Sequence, residues 1–231
     1  MAFTDRFGGV SRAPFDSLNL ALVGDDAPDD RRSNHDLLLM DFAPGARLVD
    51  LDQVHGDRVV AAEEIASSDA TPSGPPRADG VVSSSGDVVL MVRVADCVPV
   101  LLADAGAGII GAAHAGRRGV ELGVVPATID AMRARGAGRI EAWIGPHVCG
   151  ACYEVPAALR DDVDAVVPGV AATTSWGTPS LDLGRGVRAQ LEAREVVVHD
   201  RSACTIESPD LYSYRRDGAR SGRFAGLIRR V

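Results

Sequence analysis

Three side chains in this sequence could share one piece of chemistry: His55, Cys97 and His114. His55 lies in Asp52-Gln53-Val54-His55-Gly56-Asp57. Cys97 follows an apolar run in Val94-Ala95-Asp96-Cys97-Val98-Pro99. His114 closes another run, in Ala112-Ala113-His114-Ala115-Gly116-Arg117-Arg118-Gly119. A thiolate and two imidazoles suit a zinc ion with its fourth position open. Zinc held in that way polarises a water or a substrate oxygen. Wide spacing gives the trio no motif of its own, and each residue taken singly reads as an ordinary core or turn residue. The last two sit where strands give way to turns, a usual place for side chains on a rigid scaffold.

A second candidate is His147-Val148-Cys149-Gly150-Ala151-Cys152. Its C-x-x-C is compatible with redox chemistry or metal binding. With no second C-x-x-C, a closed four-cysteine zinc site is not expected, and a glycine-rich loop with small buried thiols is the preferred reading. No histidine is followed two residues later by glutamate, so the zinc deaminase signature is absent. Among the arginines, Ala115-Gly116-Arg117-Arg118-Gly119 is a glycine-flanked turn entering a helix, a setting that favours phosphate. Arg118, four residues from His114, is the preferred anion-binding candidate. Tyr212-Ser213-Tyr214-Arg215-Arg216-Asp217-Gly218 and Thr4-Asp5-Arg6-Phe7-Gly8-Gly9 are two more arginine–glycine turns.

Composition removes whole classes of function. All 24 basic residues are arginine. Without lysine there is neither a Schiff-base pyridoxal enzyme nor a Walker-type phosphate loop. A net charge of −8 argues against nucleic acid as a partner. No apolar run is long enough to span a bilayer, and the N-terminus lacks a secretory pattern, so no membrane partner and a cytoplasmic location are expected. In that compartment the four cysteines at 97, 149, 152 and 204 are expected to stay reduced. Nothing in the sequence fixes an oligomeric state.

The elements that must position these residues alternate between strand and helix. Val88–Val94, Val98–Ala103 and Ile109–Ala113 are apolar, β-branched runs that predict strands buried on both faces. Arg118–Arg135 predicts a helix that Pro126 kinks or restarts. Arg139–Ile144 predicts a strand, Pro156–Val167 and Leu183–Arg194 helices, and Val196–Val198 and Phe224–Ile228 strands. Ser67–Pro76 reads as a surface loop within one domain rather than a boundary. The fold class expected is α/β with mixed sheets, as a single domain over 1–231.

Several segments taken in order resemble one family. They are Phe7-Gly8-Gly9-Val10-Ser11, Val23-Gly24-Asp25-Asp26, Gln53-Val54-His55-Gly56, Ala78-Asp79-Gly80, Ala95-Asp96-Cys97-Val98-Pro99-Val100, His114-Ala115-Gly116-Arg117-Arg118-Gly119, Gly145-Pro146, Cys152-Tyr153-Glu154-Val155 and Ser213-Tyr214-Arg215-Arg216-Asp217. This ordered set is similar to the YfiH family, also called the laccase-domain or multicopper polyphenol oxidase family. The resemblance implies a layered α/β/β/α domain and a zinc ion on His55, Cys97 and His114. It implies a purine nucleoside phosphorylase that splits adenosine, inosine and methylthioadenosine with phosphate, with adenosine deamination as a side activity. Some members are described as peptidoglycan-editing factors. The older oxidase label conflicts with a count of five histidines, too few for a relay of copper ions.

The chain departs from the family pattern at four places. Leu22 stands where histidine is frequent, and His35 follows Asn34 where arginine is common, with Arg31 and Arg32 a turn away. Val94 stands where threonine or serine usually precedes Ala-Asp-Cys, and Arg117 where tryptophan is usual. The mechanism expected has Arg118 clamping phosphate, helped by Arg6 or His35, while zinc stabilises charge on the purine or activates water. Two rivals stand beside it. One is a metal-free cysteine hydrolase, with Cys97 as nucleophile and His114 as its base, oriented by Asp96 or Asp79. The other is a binding or regulatory protein tied to cell-wall precursors.

Overall fold

The structure is a computed structural model that describes residues 1–65 and 74–230. Most of the loop expected over Ser67–Pro76 lies outside the described residues. The strands form two principal sheets. A four-stranded sheet runs in the order β1 (Ala2–Phe3), β12 (Phe224–Arg229), β5 (Val88–Val94), β2 (Arg47–Val49). A six-stranded sheet runs β11 (Val197–Asp200), β8 (Glu141–Ile144), β6 (Val98–Asp104), β7 (Ile109–Ala115), β4 (Gly80–Ser83), β3 (Val59–Ala61). A small hairpin joins β9 (Ala171–Thr173) and β10 (Pro179–Leu181). The β2–β5, β3–β4 and β8–β11 pairs are parallel and the others antiparallel, so both large sheets are mixed.

Side-chain alternation explains the layering, since successive residues of a strand face opposite ways. In β5, Val88, Leu90 and Val92 point between the two sheets, whereas Val89 and Met91 point outward. The outward pair is covered by α1 (Pro28–Phe42), through Leu38, Leu39 and Phe42. In β6 and β7, Leu101, Ile110 and Ala112 meet the first sheet. Val100, Leu102, Ala113 and Ala115 face the helices on the far side. Those helices include α2 (Arg117–Leu122), α3 (Val124–Arg133) and α5 (Leu183–Glu192). The fold is therefore α/β/β/α, as the family resemblance implies. Strands β5 and β7 are buried along their whole length, which is why they read as unbroken apolar runs.

The helix expected over Arg118–Arg135 is two helices. Gly123 separates them in a left-handed conformation (φ 85°) that costs a residue without a Cβ little. Pro126 falls in the first turn of α3, where its missing N–H has no partner to lose, so it restarts the helix rather than bending it. Pro156 sits just before α4 (Ala157–Val166). A short α6 (Tyr214–Asp217) is capped by the Ser213 side chain, which accepts from the Arg216 N–H. Among the described residues, no helix is long and apolar enough to cross a membrane.

Strand register brings the chemistry to one end of the six-stranded sheet. Val98 faces Ala115 and Pro99 faces His114, so Cys97, just before β6, lies beside the end of β7. Gly80 faces Ala113, so Asp79, just before β4, lies beside His114 from the other side. Val59 pairs with Gly80, and the loop entering β3 therefore carries His55 to the same place.

Candidate metal centre and active site

The ligand atoms of His55, Cys97 and His114 lie within 4.8 Å of one another. The Cys97 sulfur is 3.7 Å from His55 Nε2. A tetrahedral ion with zinc–sulfur and zinc–nitrogen bonds of about 2.3 and 2.0 Å sets that edge at about 3.5 Å. The two imidazole rings stand edge to face, centroids 4.8 Å apart. The three residues named from the sequence thus converge, and their donors fit a zinc ion.

One fully buried carboxylate organises the trio. Asp79 accepts the His114 Nδ1–H at 2.8 Å, the His55 N–H at 2.9 Å, the Gly56 N–H at 2.7 Å and the Val54 N–H at 3.2 Å. The first bond fixes the His114 tautomer and leaves Nε2 to face the metal position. The others clamp the loop that holds His55 in a left-handed conformation, φ 60°. Burial works to raise the Asp79 carboxyl, but its bonds from His114, Gly56 and His55 hold it below the usual range. Burial would likewise raise the Cys97 thiol, and the neighbouring His114, with His55, reverses this and brings it down to about 6. For His114 burial disfavours the imidazolium, yet Cys97 and Asp79 hold its pKa up at about 9. Cys97 is therefore a ready thiolate, the form that binds metal.

Cys97 is presented by a strained turn. Asp96 has φ 93° and is held by its own bonds. Its carboxylate accepts from Thr205 Oγ1 at 2.6 Å and from the Arg215 N–H at 2.7 Å, and its carbonyl accepts from the Val148 N–H. Asp79, and not Asp96, is the carboxylate on His114.

Gly116 lies against the centre. A Cβ there would sit 2.6 Å from the His55 ring and 3.1 Å from the Cys97 sulfur. Gly116 has extended backbone (φ −72°), so alanine suits its conformation but not its surroundings. Gly116→Ala is expected to displace His55 and lower metal affinity at least about tenfold. Metal content after dialysis, with a melting curve as the fold control, checks this.

A cavity of about 610 Å³ opens over the centre, a volume suited to a small-molecule ligand. His55, Cys97 and His114 form part of its lining, together with Arg93, Arg117, Arg215 and Arg223. Arg93 is paired with Asp50, and Arg117 with Glu121. The guanidinium groups of Arg215 and Arg223 bond only to carbonyls among the described residues: Arg215 Nη1 to Glu154 O, and Arg223 Nη1 to Ser221 O and Gly222 O. Their charges have no carboxylate partner among the described ion pairs. Arg215 also lies over the Tyr153 ring and Arg223 over the Tyr214 ring, at 4.5 and 5.7 Å.

The other residues named from the sequence are placed elsewhere. Arg118 is exposed on α2 and is not part of the cavity lining, where its neighbour Arg117 is. Arg6 bonds to Asp16 O, pairs with the Asp16 carboxylate and stacks on Tyr212. His35, on the outer helix α1, donates through Nε2 to Leu20 O. His147 donates to Gly145 O, and His199 pairs with Glu141 and stacks on Trp143. Arg223 was not among the residues named from the sequence: Gly222 precedes it, but no histidine or adjoining arginine marks the segment. Arg215 was visible only as one of several arginine turns. Of the four departures from the family pattern, Leu22, Val94 and Arg117 line the cavity and His35 does not.

Comparison with known proteins extends over the whole chain. A Streptomyces coelicolor protein named a purine nucleoside phosphorylase is 49% identical, over 98% of this chain and 93% of its own length. A Mycobacterium bovis protein of the same name is 44% identical, over 97% and 89%. The crystal structure of Neisseria meningitidis protein NMB0706 superposes with a TM-score of 0.86 at 33% identity, covering 99% of this chain and 92% of that one. Bacillus licheniformis hypothetical protein YfiH gives a TM-score of 0.87 at 27% identity, over 99% and 91%. The family model for multi-copper polyphenol oxidoreductase laccase matches residues 1–231, and this chain belongs to that family.

Proposed function

We propose that this chain is a zinc-dependent purine nucleoside phosphorylase that splits adenosine, inosine and methylthioadenosine with phosphate in the cytoplasm. One observation carries the reading: a cavity of nucleoside size has a metal-ligating trio in its lining and two arginines, Arg215 and Arg223, without carboxylate partners. The names of the relatives support the same activity.

In the reaction the glycosidic bond from C1′ to the purine nitrogen breaks and its electron pair leaves with the base. A phosphate oxygen forms the new bond to C1′, giving ribose 1-phosphate, and the base takes up a proton. Arg215 and Arg223 hold the phosphate dianion at the mouth of the cavity, replacing its lost hydration with fixed donors. Arg118, Arg6 and His35, the candidates named from the sequence, do not line this cavity. Tyr153 and Tyr214 bring aromatic faces to the cavity wall for the base. His55, Cys97 and His114 hold the zinc, which when bound supplies a Lewis acid for the charge that develops on the purine. Asp79 keeps His114 oriented throughout. Adenosine deamination is the side activity of the same site: a water oxygen adds to purine C6 and the C6 amino group leaves as ammonia, giving inosine.

The test is release of base and ribose 1-phosphate from adenosine, with and without phosphate. Phosphate-dependent release is expected, and equal release in both would make the chain a hydrolase. Treatment with a strong chelator is expected to abolish turnover, and zinc to restore it, because the ligand set has no other source of Lewis acidity. A second reading has its own support: Cys97, His114 and Asp79 stand in line as nucleophile, base and orienting carboxylate. Full activity after metal removal would favour it. A polyphenol oxidase has less support, since His35, His147 and His199 are engaged with Leu20 O, Gly145 O and Glu141 and leave two imidazoles for copper.

A further inference from the structure

The C-x-x-C that reads as a bland loop has a second half. Cys204 and Glu207 form a C-x-x-E, and the fold brings it against Cys149 and Cys152. The four ligand atoms lie within 4.8 Å of one another. The Cys152 sulfur is 3.5 Å from Glu207 Oε1. Zinc–sulfur and zinc–oxygen bonds of about 2.3 and 2.0 Å in a tetrahedron give a sulfur–oxygen edge of about 3.5 Å.

The two segments are built alike. Each is a turn: residues 150–152 on one side, 205–207 on the other. Backbone N–H groups point at the first sulfur of each. Ala151 N–H faces Cys149, and Ile206 and Glu207 N–H, with that of Cys149, face Cys204. A short parallel bridge between His147 and Cys204 sets the turns side by side. Three thiols and one carboxylate are thus packed together, and Glu207 has no arginine partner among the described ion pairs. Three sulfurs and one carboxylate select zinc over magnesium or calcium.

We propose that Cys149, Cys152, Cys204 and Glu207 hold a second, structural zinc ion that staples the two loops forming one wall of the active cavity. The first loop supplies Val148 and Tyr153 to that wall, and the second leads into Tyr214 and Arg215. The ion closes a long stretch of chain at the place where substrate is gripped. It differs from the first centre in having no open position.

Cys97→Ser gives a clean test, because the three remaining cysteines all belong to the cluster. This variant, loaded with cobalt(II) alone, is expected to take up ion with an intense thiolate-to-cobalt charge-transfer band. Wild-type protein is expected to carry about two zinc ions per chain against about one for a single site. Glu207→Gln, made at an exposed position on the Cys97→Ser background, is expected to keep the band and bind cobalt at least about tenfold more weakly. Absence of the band in Cys97→Ser, with a thiol reagent modifying all three cysteines equally fast with and without zinc, overturns the site. Unchanged cobalt affinity in Glu207→Gln overturns the fourth ligand.

Discussion

Asp79→Asn is expected to disable the metal centre while changing no ligand. The Asp79 carboxylate accepts four N–H groups, three from the His55 loop and one from His114. An asparagine side chain offers one oxygen and one NH2, so at least one buried donor meets another donor. Leaving a buried polar group unsatisfied costs about 1–3 kcal/mol, and more where a charge is involved. The His114 tautomer is then no longer enforced. Loss of an outer partner of a metal-bound histidine lowers metal affinity by about 10–100-fold. Zinc competition with a chromophoric chelator reads the affinity, and thermal unfolding reads the stability. Unaltered zinc affinity in a folded Asp79→Asn protein would remove Asp79 from the account.

The second large effect is expected at Arg215 and Arg223. Removing one preorganised donor from a developing or bound anion costs about 10²–10³ in rate. Arg223→Met and Arg215→Met are each expected to lower phosphate-dependent turnover in that range and to raise the phosphate KM. Arg118→Ala is expected to stay within about twofold of wild type, as surface substitutions do. Zinc content should be the same in all three. The comparison decides between the sequence expectation and the geometry: a severe Arg118 defect with mild effects at 215 and 223 would return the phosphate to α2.

These contrasts show where the sequence was readable. Strands β5, β6 and β7 announce themselves because burial on both faces demands continuous apolar residues. Helix α1 does not, because its apolar residues Leu37, Leu38, Leu39 and Met40 are consecutive rather than spaced along one face, and its one fully buried side chain is Asn34. Strands of two to four residues, such as β1 and β4, are too short to show a period. His55 and Cys97 lie 42 positions apart, and only strand register makes them neighbours. Their grouping came from residue type, with the chain's resemblance to a family implying the same trio, and not from spacing. Asp79 was visible as part of Ala-Asp-Gly, but its four bonds depend on a loop that must first fold around it. Counting C-x-x-C pairs missed Cys204 and Glu207 because the matching half of the motif ends in a carboxylate.

Asp96 carries a further lesson about how this protein can be altered. Its backbone occupies a region that costs a side-chain-bearing residue of order 1–3 kcal/mol, and glycine would relax it. Its carboxylate meanwhile joins Thr205 to Arg215 beside the thiol of Cys97. Glycine would leave the Thr205 hydroxyl and the Arg215 N–H without their acceptor, at about 1–3 kcal/mol each, which offsets the relief of the backbone. A left-handed φ is therefore no invitation to engineer this position, since the side chain that makes it costly is also the tether of the cavity wall.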